Sequence, residues 1–504
     1  MIAKLRSLWP GAVAAAVPLA ALWAASGIVP QIPFPPYALG DRIVRLIPGA
    51  VATTAIDQLQ HNALRLLAGG TVTVFVIGGS LLPVLLRRGK QLYSYLAGAL
   101  FGLASLVATL VDPVPQNRPA AFASAVFAAG AYAAVLAGLE TYRRRPRAVA
   151  SSDTGPVTRR TFLVAGASAT GTSITAGALA RIYGWNLAPA SVSLKGGARP
   201  DRVSSRARFP SVSGLSPEIT SVADHYVVDI DISDPVVDAG SWKLSIDGLV
   251  EDPLALTFSG LQSEFRLVDQ HSVLTCISNK VGGPLVGSSR WTGVRLREVL
   301  ERAGLRDSAQ EVIFRCADGY SVGIPLELAN EPSALLALAQ NGQPLARAHG
   351  FPCRVRVPAL YGMMNPKWLE SIEVTASRYE GYWQQQGWTD MGFVRTESRI
   401  DTPRRASAGL PTWIAGVAWA GTRRVSKVEV SVDGGRSWAP ALLHEPLSPL
   451  AWTQWAYRWT PPRVGRYPVR CRATDGRGVR QDQTRRPPHP SGASGYHEIE
   501  VEVA

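Results

Sequence analysis

The stretch Val273-Leu274-Thr275-Cys276-Ile277-Ser278-Asn279, with Gly282, Gly283 and Gly287 soon after it, decides how the rest of this 504-residue chain is read. Val273 to Thr275 predict a strand, and the glycines predict a tight loop into which that strand runs. Cys276 therefore stands at a strand end. A lone cysteine is usually a small buried apolar side chain, and Cys471, on the apolar phase of its own run, is read that way. A thiolate presented at the end of a strand suits a soft, high-valent metal. Past the loop, Ser289-Arg290-Trp291-Thr292-Gly293-Val294 leads to Leu296, Val299, Leu300 and Ala303, spaced i, i+3, i+4, i+7 and stopped by Gly304. That is an amphipathic helix.

On either side of this centre the pattern stays globular. Trp242, Leu244 and Ile246 alternate with polar residues and predict a strand broken at Gly248. Ala334–Ala339 is a short apolar run closed by Asn341-Gly342, a hairpin turn signal. A mixed α+β domain follows. Within it, His349-Gly350-Phe351-Pro352-Cys353-Arg354 and Lys367-Trp368-Leu369 carry three basic side chains that can clamp a phosphate: arginine through directional bonds, lysine as a point charge. Beyond Asp401 the helical period vanishes. Val428, Val430 and Val432 alternate up to Asp433-Gly434-Gly435, Tyr467 to Thr474 alternate, and His497 to Val503 close the chain in the same way. Short strands with regular turns predict a β-sandwich, with Arg485 to Gly495 as a proline-rich loop.

Towards the N-terminus the composition changes. The chain is 46% hydrophobic and 18% charged, with a net charge of +14 and 4 Cys, which excludes a disordered protein and a disulfide scaffold. Residues 1–160 hold 15 Lys+Arg against 5 Asp+Glu, and the remainder holds 37 against 33. The basic excess therefore lies among apolar runs, which argues for membrane topology and against nucleic acid. Five stretches are long enough to cross a bilayer: Gly11–Val29, Ala63–Leu86, Leu92–Val111, Pro119–Leu139 and Phe162–Ile182. Eleven of the basic residues fall on one side, which the positive-inside rule makes cytoplasmic. Everything after about Gly184 is then outside. Thr158-Arg159-Arg160-Thr161-Phe162-Leu163 resembles a twin-arginine export signal, with a stop-transfer charge pair as the plainer alternative. His61 is the only histidine before residue 225, and Cys-x-x-Cys-His is absent, so the apolar helices read as an anchor without haem.

In order along the chain, Cys276-x-x-Asn279, Arg290-Trp291-x-Gly293-Val294-x-Leu296, Asp318-Gly319-Tyr320-Ser321, Asn341-Gly342-Gln343-Pro344-Leu345, His349-Gly350-Phe351-Pro352-x-Arg354 and Lys367-Trp368-Leu369 resemble the sulfite oxidase family of molybdenum enzymes. Asp433-Gly434-Gly435-x-Ser437-Trp438, Trp455, Trp459 and Arg472-Ala473-x-Asp475 are similar to that family's immunoglobulin-like dimerisation domain. The resemblance covers roughly residues 220–504, and a membrane-anchored bacterial branch accounts for the rest. It implies a multi-domain chain: an all-α transmembrane bundle of four helices over 1–145, a basic linker with the fifth apolar segment and an outer linker over 146–215, an α+β molybdopterin domain over 216–400, and an all-β immunoglobulin-like sandwich over 401–504.

The resemblance further implies that Cys276 is the sulfur ligand of molybdenum in a molybdopterin cofactor (Moco). His349, Arg354 and Lys367 would hold the pterin phosphate, and Asn279 and Arg290 would line the pocket. Oxygen-atom transfer to a small-molecule substrate, a separate electron carrier (quinone or cytochrome) and a homodimer through the C-terminal domain are expected with it. Two departures bear on the substrate. Trp388 stands where sulfite-oxidising members have an active-site tyrosine, and Val228 where they have an anion-binding arginine. An indole N–H donates but is neither acid nor base, so an unassigned substrate is favoured over sulfite. Sulfite dehydrogenase and S- or N-oxide reductase are the alternatives, and a non-catalytic anchored binding protein is the alternative from another class. Cys316 and Cys353 read equally as a disulfide or as two core thiols. His225, His271, His444, His489 and His497 lack metal-ligand spacing and read as surface or hydrogen-bonded residues.

Overall fold

The computed structural model describes residues 2–29, 32–47, 51, 55, 58–59, 62–86, 93–112, 118–144 and 209–504. These fall into two compact units. Among the described residues the first contains five helices, α1 (Ile2–Ile28), α2 (Pro35–Leu46), α3 (Asn62–Leu86), α4 (Tyr93–Leu110) and α5 (Arg118–Arg144), together with Asp229–Val236. All but α2 are long and apolar enough to cross a membrane: Leu8–Ile28, Asn62–Leu86, Tyr93–Leu110 and Arg118–Glu140. Four of the five expected spans coincide with them. The fifth, with the twin-arginine-like motif before it, lies outside the described residues.

Small residues let these helices approach closely. A Cβ added at Gly98 or Gly102 of α4 would come within 2.5 and 2.6 Å of Ala129 atoms on α5, the kind of contact that packs helices where water supplies no drive. Inside lie Leu19, Leu22, Phe101, Tyr132 and Leu136, while Leu66, Leu85, Leu103 and Phe122 turn outward. Helix α2 was not anticipated. Pro35 and Pro36 start it, as proline tolerates the first turn. Its buried Asp41 accepts the Ile232 backbone N–H, and Arg45 meets Asp231 at 2.9 Å. Residues 229–236, which read as part of the outer half, are held in the helical unit by these contacts.

The second unit is sheet-rich. One sheet has the order β2-β1-β10-β5-β6, built from β1 (Lys243–Gly248), β2 (Leu254–Thr257), β5 (Glu311–Cys316), β6 (Ser321–Pro325) and β10 (Leu369–Thr375); β1 and β10 run parallel. A second sheet has the order β3-β4-β7-β8, from β3 (Leu267–Thr275), β4 (Val286–Arg295), β7 (Leu335–Gln340) and β8 (Gln343–Pro344), with β9 (Arg354–Arg356) on β7. Helix α6 (Phe258–Glu264) follows β2, and α7 (Leu296–Ala303) is the helix read from its periodicity. Its four spaced apolar residues are fully buried. Asn341 and Gly342 both have positive φ (53° and 82°), as the tight β7–β8 turn requires.

The C-terminal part is all-β. One sheet is β11-β13-β17-β16, from β11 (Glu397–Thr402), β13 (Thr412–Trp419), β16 (Leu442–Leu443) and β17 (Thr453–Trp459). The other is β12-β19-β18-β14-β15, from β12 (Arg405–Ala406), β14 (Val425–Ser431), β15 (Ala439–Pro440), β18 (Gly465–Asp475) and β19 (His497–Val503). Ile414, Trp455 and Trp459 of the first meet Val430, Val469, Cys471 and Val501 of the second in one core. Cys471 is therefore structural, as expected. Cys316 and Cys353 are free thiols, which resolves the alternative left open by the sequence.

Candidate active site

Strands β3 and β4 form a long hairpin whose last pair is Thr275↔Val286. Cys276 is the first residue past that pair. The Cys276 N–H donates to the Leu285 carbonyl at 3.0 Å, closing the base of the loop. Asn279 ties it internally: its Oδ1 accepts the Leu285 N–H at 2.9 Å, and its own N–H reaches the Cys276 carbonyl at 3.1 Å. Gly282 takes φ of 76°, where an L side chain would be strained. The thiol is buried, with Ser278 Oγ 2.9 Å from Sγ. Burial pushes the Cys276 thiol pKa up, and the Ser278 hydroxyl acts in the opposite direction.

Beside this loop a set of aromatic and basic groups gathers on Trp291 of β4, which is fully buried. The His225 ring lies 5.9 Å from it, edge to face, and 5.5 Å from the His349 ring. The guanidinium carbons of Arg354 and Arg356 sit 5.4 and 4.9 Å from the Trp291 ring centre. Both arginines come from β9, where an Arg-Val-Arg run puts alternate residues on one face. Arg354 donates to the carbonyls of His349 (3.1 Å) and Asn365 (2.9 Å). Arg356 donates to Asn365 Oδ1, Ser272 Oγ and the Val273 carbonyl. Burial, and then the neighbouring charge of Arg354, pull the Arg356 guanidinium down to about 9.

His349 Nε2 pairs with the Val222 carbonyl at 3.0 Å. Burial lowers its pKa to about 4, so the ring is neutral near pH 7. Lys367 Nζ donates to the Ala348 carbonyl at 2.9 Å and lies 4.3 Å over the Trp368 ring. Gly350, at φ 101°, lets Lys367 in: a Cβ there would stand 2.9 Å from the Lys367 Cβ. His349, Arg354 and Lys367, expected as one set, are brought together on this turn. Arg290 stands elsewhere, against the Asn341-Gly342 turn, where a Cβ on Gly342 would collide with its guanidinium. Trp388 is buried, with ring centres 6.2 Å from Trp383 and 5.2 Å from His489.

The sequence reading missed three groups. His225 was read as a surface or hydrogen-bonded histidine; it is the second, with Nδ1 3.4 Å from the Tyr226 carbonyl, and it is buried among Trp291, Tyr226 and His349 with Nε2 lacking a partner. Tyr226 packs beside it with a buried, unpartnered hydroxyl. Arg356 could have been found from its alternation with Arg354. For the histidine and tyrosine no local signal exists, since their segment is a turn and bend followed by irregular backbone without a strand partner.

Tyr226 Oη, His225 Nε2 and Asn279 Nδ2 are buried polar atoms with no partner. Such groups cost roughly 1–3 kcal/mol each when left unpaired, so they mark surface meant for a polar ligand. Among the described residues no group of three or more His, Cys, Asp or Glu is placed to hold a metal. Cys276 can offer a single soft ligand, and any metal here must bring its remaining ligands on an organic group. Clustered cations, unpaired donors and one thiol fit an anionic cofactor that carries its own metal ligands.

Two family models match the chain. The oxidoreductase molybdopterin binding domain covers residues 231–383, and the Mo-co oxidoreductase dimerisation domain covers 397–481. Sulfite oxidase of Gallus gallus is 30% identical over 291 residues, 48% of this chain and 63% of that protein. An uncharacterized oxidoreductase, YuiH, of Bacillus subtilis is 33% identical over 155 residues, 30% of this chain and 74% of that protein. Sulfite oxidase of Mus musculus is 34% identical over 225 residues, 38% of this chain. The chain thus spans 63% and 41% of the length of the chicken and mouse enzymes. Among solved structures, the sulfane dehydrogenase SoxCD of Paracoccus pantotrophus shares the fold, with a TM-score of 0.50 and 20% identity over 63% of this chain and 93% of its own.

Proposed function

We propose that this chain, which belongs to the sulfite oxidase family of molybdopterin oxidoreductases, is a membrane-anchored enzyme with its catalytic unit outside the cytoplasm. The cofactor of the family is molybdenum on molybdopterin, and when bound it supplies two-electron oxygen-atom transfer. The observation that carries the assignment of residues is the gathering of His349, Arg354 and Lys367 on one turn beside the buried Cys276 loop.

In this reading Cys276 is the protein's ligand to the metal, and the Ser278 hydroxyl tunes its sulfur. Arg354 and Lys367 hold the pterin phosphate, and neutral His349, whose Nε2–H goes to the Val222 carbonyl, offers Nδ1 as an acceptor at its edge. Asn279 fixes the loop and turns its free Nδ2 inward. Trp291 forms the floor on which the basic side chains gather, and Trp388 takes the place of the family's active-site tyrosine. Arg290 supports the pocket through the Asn341-Gly342 turn. The protein's contribution is orientation and electrostatics.

Val228 and Trp388 remove a cation and a phenol from the positions where sulfite-oxidising relatives are expected to carry them, so the substrate is left unassigned. The sequence carries no haem-attachment motif, and electrons are assigned to a separate carrier. The C-terminal sheets are taken as an immunoglobulin-like sandwich that pairs two copies of the chain. The uneven basic residues of the first half set the cytoplasmic face.

Metal analysis of the protein, purified from a host able to make the cofactor, tests the enzymatic reading. About one equivalent of molybdenum is expected; less than about a tenth of an equivalent would favour the non-catalytic binding protein. A reporter fused after Ala504 should be active only outside the cytoplasm.

A further inference from the structure

The segment matching the family's active-site tyrosine position ends in Trp388, and the centre would be left without a phenol there. We propose that Tyr226 supplies one from a different part of the chain, as the hydrogen-bond donor that holds the transferred oxygen atom beside Cys276. The assignment rests on the enzymatic reading above.

Two buried tyrosines, Tyr320 and Tyr361, and the half-buried Tyr226 surround the short helical turn at Gly362–Met364. Two have committed hydroxyls: Tyr320 donates to the Met363 carbonyl at 2.7 Å, and Tyr361 accepts the Arg395 N–H at 3.2 Å. The Tyr226 hydroxyl is buried and has no partner. Its place is fixed by what surrounds Gly362. A Cβ there would stand 2.8 Å from Tyr226 Oη and 3.8 Å from Cys276 Cα, so the hydroxyl and the cysteine border the same small space. Gly362 does not have positive φ, so no backbone strain calls for glycine. The missing side chain keeps the space beside the hydroxyl open.

The ring cannot swing away easily. It packs on the cluster of Leu274, Trp291 and Phe351 and stacks on His225 at 5.3 Å. The Trp388 indole N–H is also buried and unpartnered. The two differ in chemistry: an indole only donates, whereas a phenol both donates and accepts. A neutral donor aimed where charge develops stabilises a transition state without needing an anionic substrate.

The test compares Tyr226→Phe with Tyr320→Phe and wild type, all loaded with cofactor. Molybdenum content is measured first and should be equal in the three. Each protein is then reduced by titration with dithionite to the one-electron state, and the magnetic resonance spectrum is recorded in H2O and D2O. Wild type and Tyr320→Phe should show coupling to an exchangeable proton that Tyr226→Phe lacks. With whichever probe among sulfite, dimethyl sulfoxide and trimethylamine N-oxide wild type turns over, Tyr226→Phe should lower kcat on the order of 100-fold with little change in KM. Unchanged coupling and kcat at normal molybdenum content would overturn the assignment alone. Selective loss of molybdenum in Tyr226→Phe would overturn it too, making Tyr226 a cofactor-holding residue. Wild type without molybdenum would remove the enzymatic reading and this assignment together.

Discussion

The pocket around Cys276 and the C-terminal β-domain treat buried charge in opposite ways. In the β-domain acids and bases come in pairs. Arg423 meets Asp475 at 2.9 Å, Arg399 meets Asp401 at 2.7 Å, and Glu429 is held by both Arg472 (2.9 Å) and Lys427 (2.7 Å). Burial acts to raise the Glu429 and Asp475 carboxyls. Hydrogen bonds from Arg472 and Lys427 in one case, and from the Val479 N–H and Arg423 in the other, outweigh it and hold both below the usual range. In the pocket two arginines share one tryptophan face, and each depends on carbonyl and amide oxygens. Polar atoms of Tyr226, His225 and Asn279 are left over. One acid stands outside these pairs: burial pushes the Glu397 carboxyl, beside the Tyr361 hydroxyl, up to about 8. The pocket differs in gathering cations and leaving polar atoms open, a shape suited to a group that arrives from outside. Sites that break local rules of satisfaction are where function is expected.

That contrast can be broken by substitutions on each side. The largest effect is expected from Cys276→Ser. Turnover should fall to background while molybdenum content, circular dichroism and the melting midpoint barely move, since the cofactor brings its other ligands with it and the change is nearly isosteric; unchanged turnover would remove Cys276 from the ligand role. Trp455→Ala comes next and acts on the other side. Trp455 is fully buried in the core shared by both C-terminal sheets, so the loss should be about 3–5 kcal/mol of stability in denaturant titration. The molybdenum spectrum of the surviving folded fraction should be unaltered. Arg354→Gln is smaller. Removing a buried charged hydrogen bond costs roughly 1.5–3 kcal/mol, a weakening of cofactor retention of about ten- to a hundredfold, read as molybdenum lost on dialysis. Arg472→Gln, the matching change in the β-domain, should leave retention untouched.

How much of this was legible beforehand follows the range of the forces involved. Helix α7 and the β7–β8 hairpin were read from local patterns, periodicity in one and an Asn-Gly turn in the other, and local patterns survive folding. Strands β18 and β19 were legible for the same reason, because each buries one face and exposes the other; β14 alternates in sequence, although Val428, Glu429, Val430 and Ser431 are all buried. Helix α2 was not: it is short, its start is set by two prolines, and its place depends on Asp41 and Arg45 reaching a segment nearly two hundred residues away. The site divides similarly. Cys276, Asn279, His349, Arg354 and Lys367 were proposed through motif order. His225 and Tyr226 come from an irregular turn segment with no period, and only its packing against the β3–β4 sheet shows that the His225 ring and the Tyr226 hydroxyl are buried.

The smallest effect tests the seam between the two regions. His497 starts β19, yet a Cβ on Gly282 of the cysteine loop would collide with its ring. Its Nδ1 accepts the Ile400 N–H at 2.9 Å, so this ring nitrogen must be unprotonated. Burial, followed by the charges of Arg404 and Arg399, lowers its pKa to about 4; burial does the same to His349 in the pocket. An unfolded histidine titrates near 6.5. Above that pH neither state holds the extra protons and stability is complete. As pH falls from about 6.5 towards 4, the unfolded chain takes up protons that the folded chain refuses, and stability falls. The paired carboxylates of the β-domain cannot cause this slope, because their pKa values are depressed and their contribution is lost only in more acidic solution. His497→Gln keeps an acceptor for Ile400 and removes one titrating group. The melting midpoint measured between pH 7 and 4 should then decline less steeply, by the share of one proton. An unchanged slope would assign the acid sensitivity to His349 and the pocket, and leave the seam at Gly282 indifferent to protonation.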